Sequence, residues 1–116
     1  MDPATREELK AALVDELERA HRRLAGLERD LAAIVEAVDS DNVDDEHDPE
    51  GATLGFERAQ VITLRNQTAV RIEELEQSRA RLDAGTADSC EVCGATIGRE
   101  RLLARPGTRR CRACAT

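Results

Sequence analysis

Four cysteines in the last third of the sequence are the side chains best suited to chemistry. They form two Cys-x-x-Cys pairs, Cys90 with Cys93 and Cys111 with Cys114, separated by seventeen residues. Two residues between thiolates let one tight turn present both sulfurs to one ion, and two such pairs at this separation are typical of a tetrahedral zinc site. Gly94 follows the first pair, where we expect a turn with positive φ. We therefore predict one structural zinc ion bound by all four cysteines.

Two other uses of these cysteines are possible in principle. A pair of structural disulfides needs an oxidising compartment, and a thiol redox sensor would expel zinc on oxidation. A catalytic zinc is not expected, because four thiolates fill the tetrahedron and leave no position for water. The two histidines, His21 and His47, have no nucleophile in a plausible arrangement. We expect no enzymatic activity.

The composition favours long helices over a thick globular core. Charged residues make up 35% of the 116, and Phe56 is the sole aromatic residue. Chains rich in Ala, Leu, Glu and Arg are typical of paired helices. No apolar run resembles a signal peptide or approaches the length of a membrane span, so we expect a cytoplasmic protein with no membrane association.

The net charge of −7 is unevenly distributed. Residues 39–50 contain seven acidic and no basic side chains, whereas residues 90–116 contain six arginines against two glutamates. A mostly acidic chain is a poor non-specific ligand for phosphate backbones, so no specific DNA binding is expected. Five arginines of the basic end are candidates for docking an acidic partner: Arg99, Arg101, Arg105, Arg109 and Arg110.

The first helix is predicted from about Ala4 to Val38. Either Asp2 caps it with Pro3 at its first position, or Thr5 and Glu8 form a capping box slightly later. Apolar residues then recur at alternating steps of four and three, which predicts a coiled-coil seam. This seam comprises Leu13, Leu17, Ala20, Leu24, Leu27, Leu31, Ile34 and Val38.

The second helix is predicted to start with Asp48 as cap and Pro49 as first residue, and to end near Asp83 before Gly85. Its seam is weaker and comprises Val61, Leu64, Thr68, Ile72, Leu75 and Leu82. Two helices of nearly equal length joined by a short loop favour an antiparallel hairpin. The alternative is that the same seams pair between two chains.

The predicted fold class is therefore all-α, with a long antiparallel coiled-coil hairpin over residues 1–86 and a small four-cysteine zinc finger over residues 87–116. An acidic loop over residues 39–50 would form the tip of the hairpin. A calcium loop of the EF-hand type is disfavoured there, because Asp44 stands where glycine is required and Val43 replaces an oxygen ligand.

The C-terminal residues resemble the C4 zinc finger of the DksA/TraR family. The resemblance rests on the stretch from Leu82 to Thr86, on the four cysteines with Gly94, and on the intervening residues Ile97, Arg101, Leu102, Ala104 and Pro106. The upstream hairpin with an acidic tip extends it to nearly the whole chain. The resemblance implies a regulator that binds bacterial RNA polymerase directly, inserts the coiled coil into the secondary channel, and changes open-complex stability.

The same resemblance implies that Asp45, Asp48, Glu50 and Ala52 form the tip that approaches the active centre of the polymerase. The family's tip motif is Asp-x-x-Asp-x-Ala, whereas here Ala52 lies four residues after Asp48. A monomer is expected. The alternative function is a zinc-ribbon protein that binds nucleic acid and dimerises through its helices.

Overall fold

Two long helices account for most of the chain. The computed structural model describes the backbone of residues 1–40 and 49–115, and the side chains of residues 1–37 and 52–115. Helix α1 spans Pro3–Ser40 and helix α2 spans Pro49–Ala84. The short helix α3 spans Arg99–Ala104, and a 3-10 turn spans Arg112–Cys114. The described residues contain no strand, only an isolated bridge between Ser89 and Thr96. The predicted fold class, a helical hairpin followed by a four-cysteine module, is confirmed.

The start of α1 follows the first of the two capping alternatives. The backbone N–H of Thr5 donates to Oδ1 of Asp2 at 2.7 Å, and Pro3 is the first helical residue. This bond lowers the pKa of the Asp2 carboxyl, because Thr5 hydrogen-bonds to its charged form. Asp2 is therefore the N-cap, and Thr5 is instead a buried residue of the first turn.

The helix ends lie close to the predicted positions. Helix α1 continues through Ser40, two residues beyond the predicted end, which is within the usual scatter of helix termini. Helix α2 ends in a Schellman motif, in which Gly85 has φ 81° and the N–H of Thr86 donates to the carbonyl of Arg81 at 2.9 Å. Residues 41–48, which include Asp45 and Asp48, lie outside the described residues.

The chain divides into two compact units. The first comprises Met1–Ala20 and Arg71–Thr116, and the second comprises His21–Val70. In the first unit, α1 contributes Leu9, Leu13 and Leu17 to the core, and α2 contributes Leu75 and Leu82. The C-terminal module completes this core with Ala87, Cys90, Ile97 and Leu102. The module is thus packed on the ends of both helices, which agrees with its few apolar residues. The predicted domain boundary at residue 86 stays a prediction.

The second unit is packed less tightly than the first. Among its residues with described side chains, only Leu27 and Thr68 are buried, while the seam residues Leu31, Ile34 and Val61 are half-buried. The Thr68 hydroxyl donates to the carbonyl of Leu64 at 2.8 Å, which satisfies a polar group at a seam position.

Candidate metal centre and basic module

Two short turns bring the four cysteines together. The first turn closes through the N–H of Gly94, which donates to the carbonyl of Cys90 at 2.9 Å, and Gly94 has the expected positive φ of 74°. The second is the 3-10 turn that starts at Arg112, in which the N–H of Cys114 donates to the carbonyl of Cys111 at 3.1 Å. A glycine is needed at position 94 because L side chains are strained at this φ.

Three backbone hydrogen bonds hold the segment around the first cysteine pair, and one of them reaches the loop before the second pair. The N–H of Glu91 donates to the carbonyl of Arg109 at 2.9 Å, and the N–H of Cys90 donates to the carbonyl of Ala95 at 2.9 Å. The N–H of Ile97 donates to the carbonyl of Asp88. The Glu91–Arg109 bond joins the segment of the first cysteine pair to the loop before the second pair, and the other two bonds close the segment around the first pair.

The sulfur positions match a zinc tetrahedron. All four Sγ atoms lie within 4.8 Å of one another, and those of Cys93 and Cys111 are 3.7 Å apart. Zinc–sulfur bonds of about 2.3 Å in a tetrahedron place the sulfurs about 3.8 Å apart. All four cysteines are free thiols, so this separation is not that of a disulfide. The residues therefore fit one structural zinc ion, as predicted.

The electrostatics of the cluster differ between two of its thiols. The backbone N–H groups of Cys111, Cys93 and Val92 lower the pKa of the Cys90 thiol to about 6. Side-chain hydrogen bonds with Cys111 and Cys93, together with burial, raise the pKa of Cys114 to about 12. Backbone N–H groups thus favour the thiolate of Cys90, whereas hydrogen bonds with the neighbouring cysteines and burial favour the protonated thiol of Cys114.

Four of the five predicted docking arginines bind groups within the protein. Arg99 pairs with Glu8 of α1. Arg110 donates from Nε to Oε1 of Glu91 at 3.2 Å, and Arg109 donates from Nη1 to Oε1 of Gln77 at 3.2 Å. These contacts connect the module to both long helices.

The side chain of Arg101 binds groups in the loop before the second cysteine pair. Its Nε donates to the carbonyl of Arg110 at 2.9 Å, and its Nη2 contacts Oγ1 of Thr108 at 3.4 Å. The sequence suggested a surface docking role for Arg101, but no pattern in the sequence indicated that it organises the loop before the second cysteine pair. Glu91 was likewise missed as the carboxylate that holds two arginines.

Arg105 differs from the other four. Its side chain is exposed and, within the described residues, makes no hydrogen bond or ion pair to a protein group. It lines an open cleft of about 750 Å³ beside α3, together with Arg101 and Arg112. Arg112, the sixth arginine of the module, is also exposed. Arg105 and Arg112 are therefore the exposed arginines of the module whose side chains have no partner within the described residues.

Of the predicted tip residues, Ala52 alone has a described side chain. It is exposed on the first turn of α2. Glu50 lies in the same turn, but its side chain is outside the described residues. Asp45 and Asp48 are wholly outside them. Whether these four residues act together stays a prediction.

With the fold and the metal centre in place, the chain is defined as a helical hairpin that carries a four-cysteine zinc module. Residues 84–116 match the family described as the prokaryotic dksA/traR C4-type zinc finger. This confirms the resemblance drawn from the sequence for the C-terminal module. Among curated proteins, no relative matches the chain.

A solved structure extends the likeness beyond the module. The transcription factor DksA2 from Pseudomonas aeruginosa superimposes with a TM-score of 0.79 over 96% of this chain and 80% of that one. The two sequences are 23% identical, and this likeness establishes the fold. No helix in the described residues combines the length and apolar character needed to cross a bilayer.

Proposed function

We propose that this protein regulates bacterial transcription by binding RNA polymerase directly. The observation that carries the proposal is the match of residues 84–116 to the dksA/traR zinc finger, on a chain whose fold resembles that of a transcription factor. The role needs no catalytic centre, and the metal would stabilise the module. Because the partner is cytoplasmic, the proposal includes a cytoplasmic location.

The proposed mode of action is insertion of the hairpin into the secondary channel of the polymerase. The seven acids of residues 39–50 would then approach the active centre, with Asp45, Asp48, Glu50 and Ala52 at the tip, and would alter open-complex stability. Arg105 and Arg112 would contact an acidic surface at the rim, since the other arginines already have partners in the protein. The protein would act as a monomer.

The test separates binding from regulation. We expect the zinc-loaded protein to co-elute with core polymerase and to change the lifetime of promoter open complexes. The variant Asp45→Ala/Asp48→Ala should bind equally well but lose the effect on lifetime. A matched control, Asp39→Ala/Asp41→Ala, removes the same charge from the same acidic segment and should retain the effect.

Two results would contradict the proposal. If the wild-type protein fails to bind polymerase, polymerase is not its partner. If Asp45→Ala/Asp48→Ala regulates as well as wild type, the assignment of the tip residues is wrong, and the proposed partner is unaffected. Binding of DNA at low salt, with affinity that falls steeply as salt rises, would favour the nucleic-acid alternative instead.

A further inference from the structure

Glu91 lies beside the first cysteine pair and binds the loop that leads to the second pair. It follows Cys90 directly, and its backbone N–H donates to the carbonyl of Arg109 at 2.9 Å. Its carboxylate binds the same loop, because Oε1 accepts from Nε of Arg110 at 3.2 Å and Oε2 lies 3.8 Å from Nε of Arg109. Glu91 thus joins the two halves of the metal centre through both its backbone and its side chain.

The loop that Glu91 binds is held by α2 and α3 on its other sides. Arg110 directly precedes the second cysteine pair, and its carbonyl accepts from Nε of Arg101 at 2.9 Å. Nη1 of Arg109 donates to Oε1 of Gln77 at 3.2 Å. These bonds attach the loop to two helices, whereas the bonds of Glu91 attach it to the first cysteine pair. The placement of the second pair relative to the first therefore depends on Glu91.

The location of the Glu91 ion pairs gives them more consequence than their strength. The Glu91 side chain is 38% exposed, and an exposed ion pair by itself contributes little to folding stability. A tetrahedral zinc site, however, requires all four sulfurs to be placed together. Groups that orient metal ligands without binding the metal commonly change metal affinity by an order of magnitude or more.

The charge of Glu91 acts in the opposite direction from its contacts. One zinc ion and four thiolates form a centre with net negative charge, which a neighbouring carboxylate disfavours. If only charge mattered, removal of the carboxylate would tighten zinc binding. If the contacts orient the second cysteine pair, the same removal weakens zinc binding. The sign of the change therefore distinguishes the two effects.

We propose that Glu91 is a positioning residue of the metal centre, which holds the second cysteine pair in place beside the first through Arg109 and Arg110. Glu91 does not itself bind the metal. The inference concerns the metal centre alone, so it does not depend on the proposed role in transcription.

The test measures the zinc affinity of the full chain by equilibrium dialysis against zinc buffered with nitrilotriacetate. Glu91→Gln keeps the length of the side chain and removes its charge, and we expect it to bind zinc about fivefold more weakly. Glu8→Gln is the matched control, because it also removes an exposed carboxylate from an arginine of the module, Arg99, but leaves the loop before the second pair untouched. It should stay within about twofold of wild type.

A charge swap tests the contact with Arg110 directly. Glu91→Arg places like charges together and should weaken zinc binding more than Glu91→Gln does. Adding Arg110→Glu to that variant restores an opposite-charge pair and should return the affinity toward the wild-type value. Circular dichroism of the zinc-loaded proteins first establishes that each variant is folded.

Cobalt(II) in place of zinc gives a readout that a merely structural ion pair would not change. The visible absorption bands of tetrahedral cobalt report how the four sulfurs are arranged around the metal. These bands should shift in Glu91→Gln and match those of wild type in Glu8→Gln.

Each outcome decides the assignment. If Glu91→Gln binds zinc as tightly as wild type, or more tightly, Glu91 does not position the cysteines. If Glu8→Gln loses as much affinity as Glu91→Gln, or if the cobalt bands of Glu91→Gln are unchanged, Glu91 contributes only an ordinary exposed ion pair and the assignment is wrong. Weaker binding that the charge swap restores, together with shifted cobalt bands, supports it.

Discussion

The hydroxyl of Ser78 in α2 donates a hydrogen bond to the carbonyl oxygen of Gly107, twenty-nine residues later, at 3.3 Å. Ser78 is buried and lies between Leu75 and Leu82 on the seam face. Gly107 approaches the same helix so closely that a Cβ there would lie 2.9 Å from Nη1 of Arg71. This bond and the one from Arg109 to Gln77 therefore tie the loop before the second cysteine pair to α2.

Ser78→Ala should destabilise the zinc-loaded protein. The substitution leaves the half-buried Gly107 carbonyl without its donor, and loss of such a hydrogen bond costs about 0.5 to 1.5 kcal/mol. Urea unfolding followed by circular dichroism measures the change in the free energy of unfolding. Ser89→Ala, at an exposed serine of the same compact unit, is the matched control and should be neutral. Equal stability of the two variants would show that the Ser78 bond contributes nothing.

The Asp2 cap should make stability pH-dependent only in acid. Its folded pKa is lowered, so the stabilisation is complete above the unfolded value of 3.8 and is lost as the pH falls through the folded value. Asp2→Asn keeps an uncharged capping oxygen that does not titrate. We expect the two proteins to have similar melting temperatures at neutral pH, and wild type to become the less stable below about pH 4.

The comparison of Asp2 with Asn cancels effects common to both proteins, such as proton-driven release of the metal. Asp2→Ala should be less stable than either at neutral pH, because it has no capping oxygen. A difference between wild type and Asp2→Asn that does not change with pH would show that the Asp2 carboxyl does not titrate as the geometry indicates.

Local signals explain why so much of this architecture could be predicted. The cysteine spacing, the Pro and Gly residues at the helix ends and the heptad steps are each set by interactions within a few residues. The seam of α1 was predicted from Leu13 onward, and the core also includes Leu9, one heptad step earlier. Its inclusion depends on the zinc module packing against that turn, which is not a local property.

The contacts of the basic module could not be predicted in the same way. Six arginines in a short acidic protein suggested an external patch, but Glu8 and Gln77, which bind Arg99 and Arg109, lie far away in the sequence. Short α3 also has no strong periodic signal in its six residues, Arg99–Ala104. Pairings at such separations follow from the tertiary fold, and one sequence holds no direct record of them.

Removal of zinc should unfold the C-terminal module while leaving much of the helical signal. Metal binding stabilises small modules by on the order of 10 kcal/mol in apparent free energy. Here Cys90, Ile97 and Leu102 are part of the core that covers Leu9 and Leu13. Chelation should therefore lower the melting temperature and reduce ellipticity at 222 nm only partly, and added zinc should restore both.

Metal analysis should give one zinc per chain for wild type, and Cys93→Ser should bind zinc far more weakly. Amide resonances of residues 87–115 should lose their dispersion in the chelated protein, while those of α1 beyond Ala20 change least. An unchanged melting temperature after complete chelation would mean that the backbone hydrogen bonds of the module suffice without metal.

Substitution of Arg101 should reduce folding stability, whereas substitution of Arg105 and Arg112 should reduce binding to polymerase. Arg101 donates to the Arg110 carbonyl and contacts Thr108, so Arg101→Ala removes internal hydrogen bonds and should cost about 1 kcal/mol of folding stability. Arg105→Ala/Arg112→Ala removes exposed charge from the cleft beside α3 and should leave the unfolding free energy unchanged. That double variant should bind core polymerase more weakly, and the deficit should shrink as salt rises, because screening weakens exposed charge pairs in both proteins. The opposite pattern would contradict this assignment. If Arg105→Ala/Arg112→Ala binds normally at low salt, while Arg101→Ala is stable but binds poorly, then Arg101 contacts the polymerase and Arg105 and Arg112 are solvated surface residues.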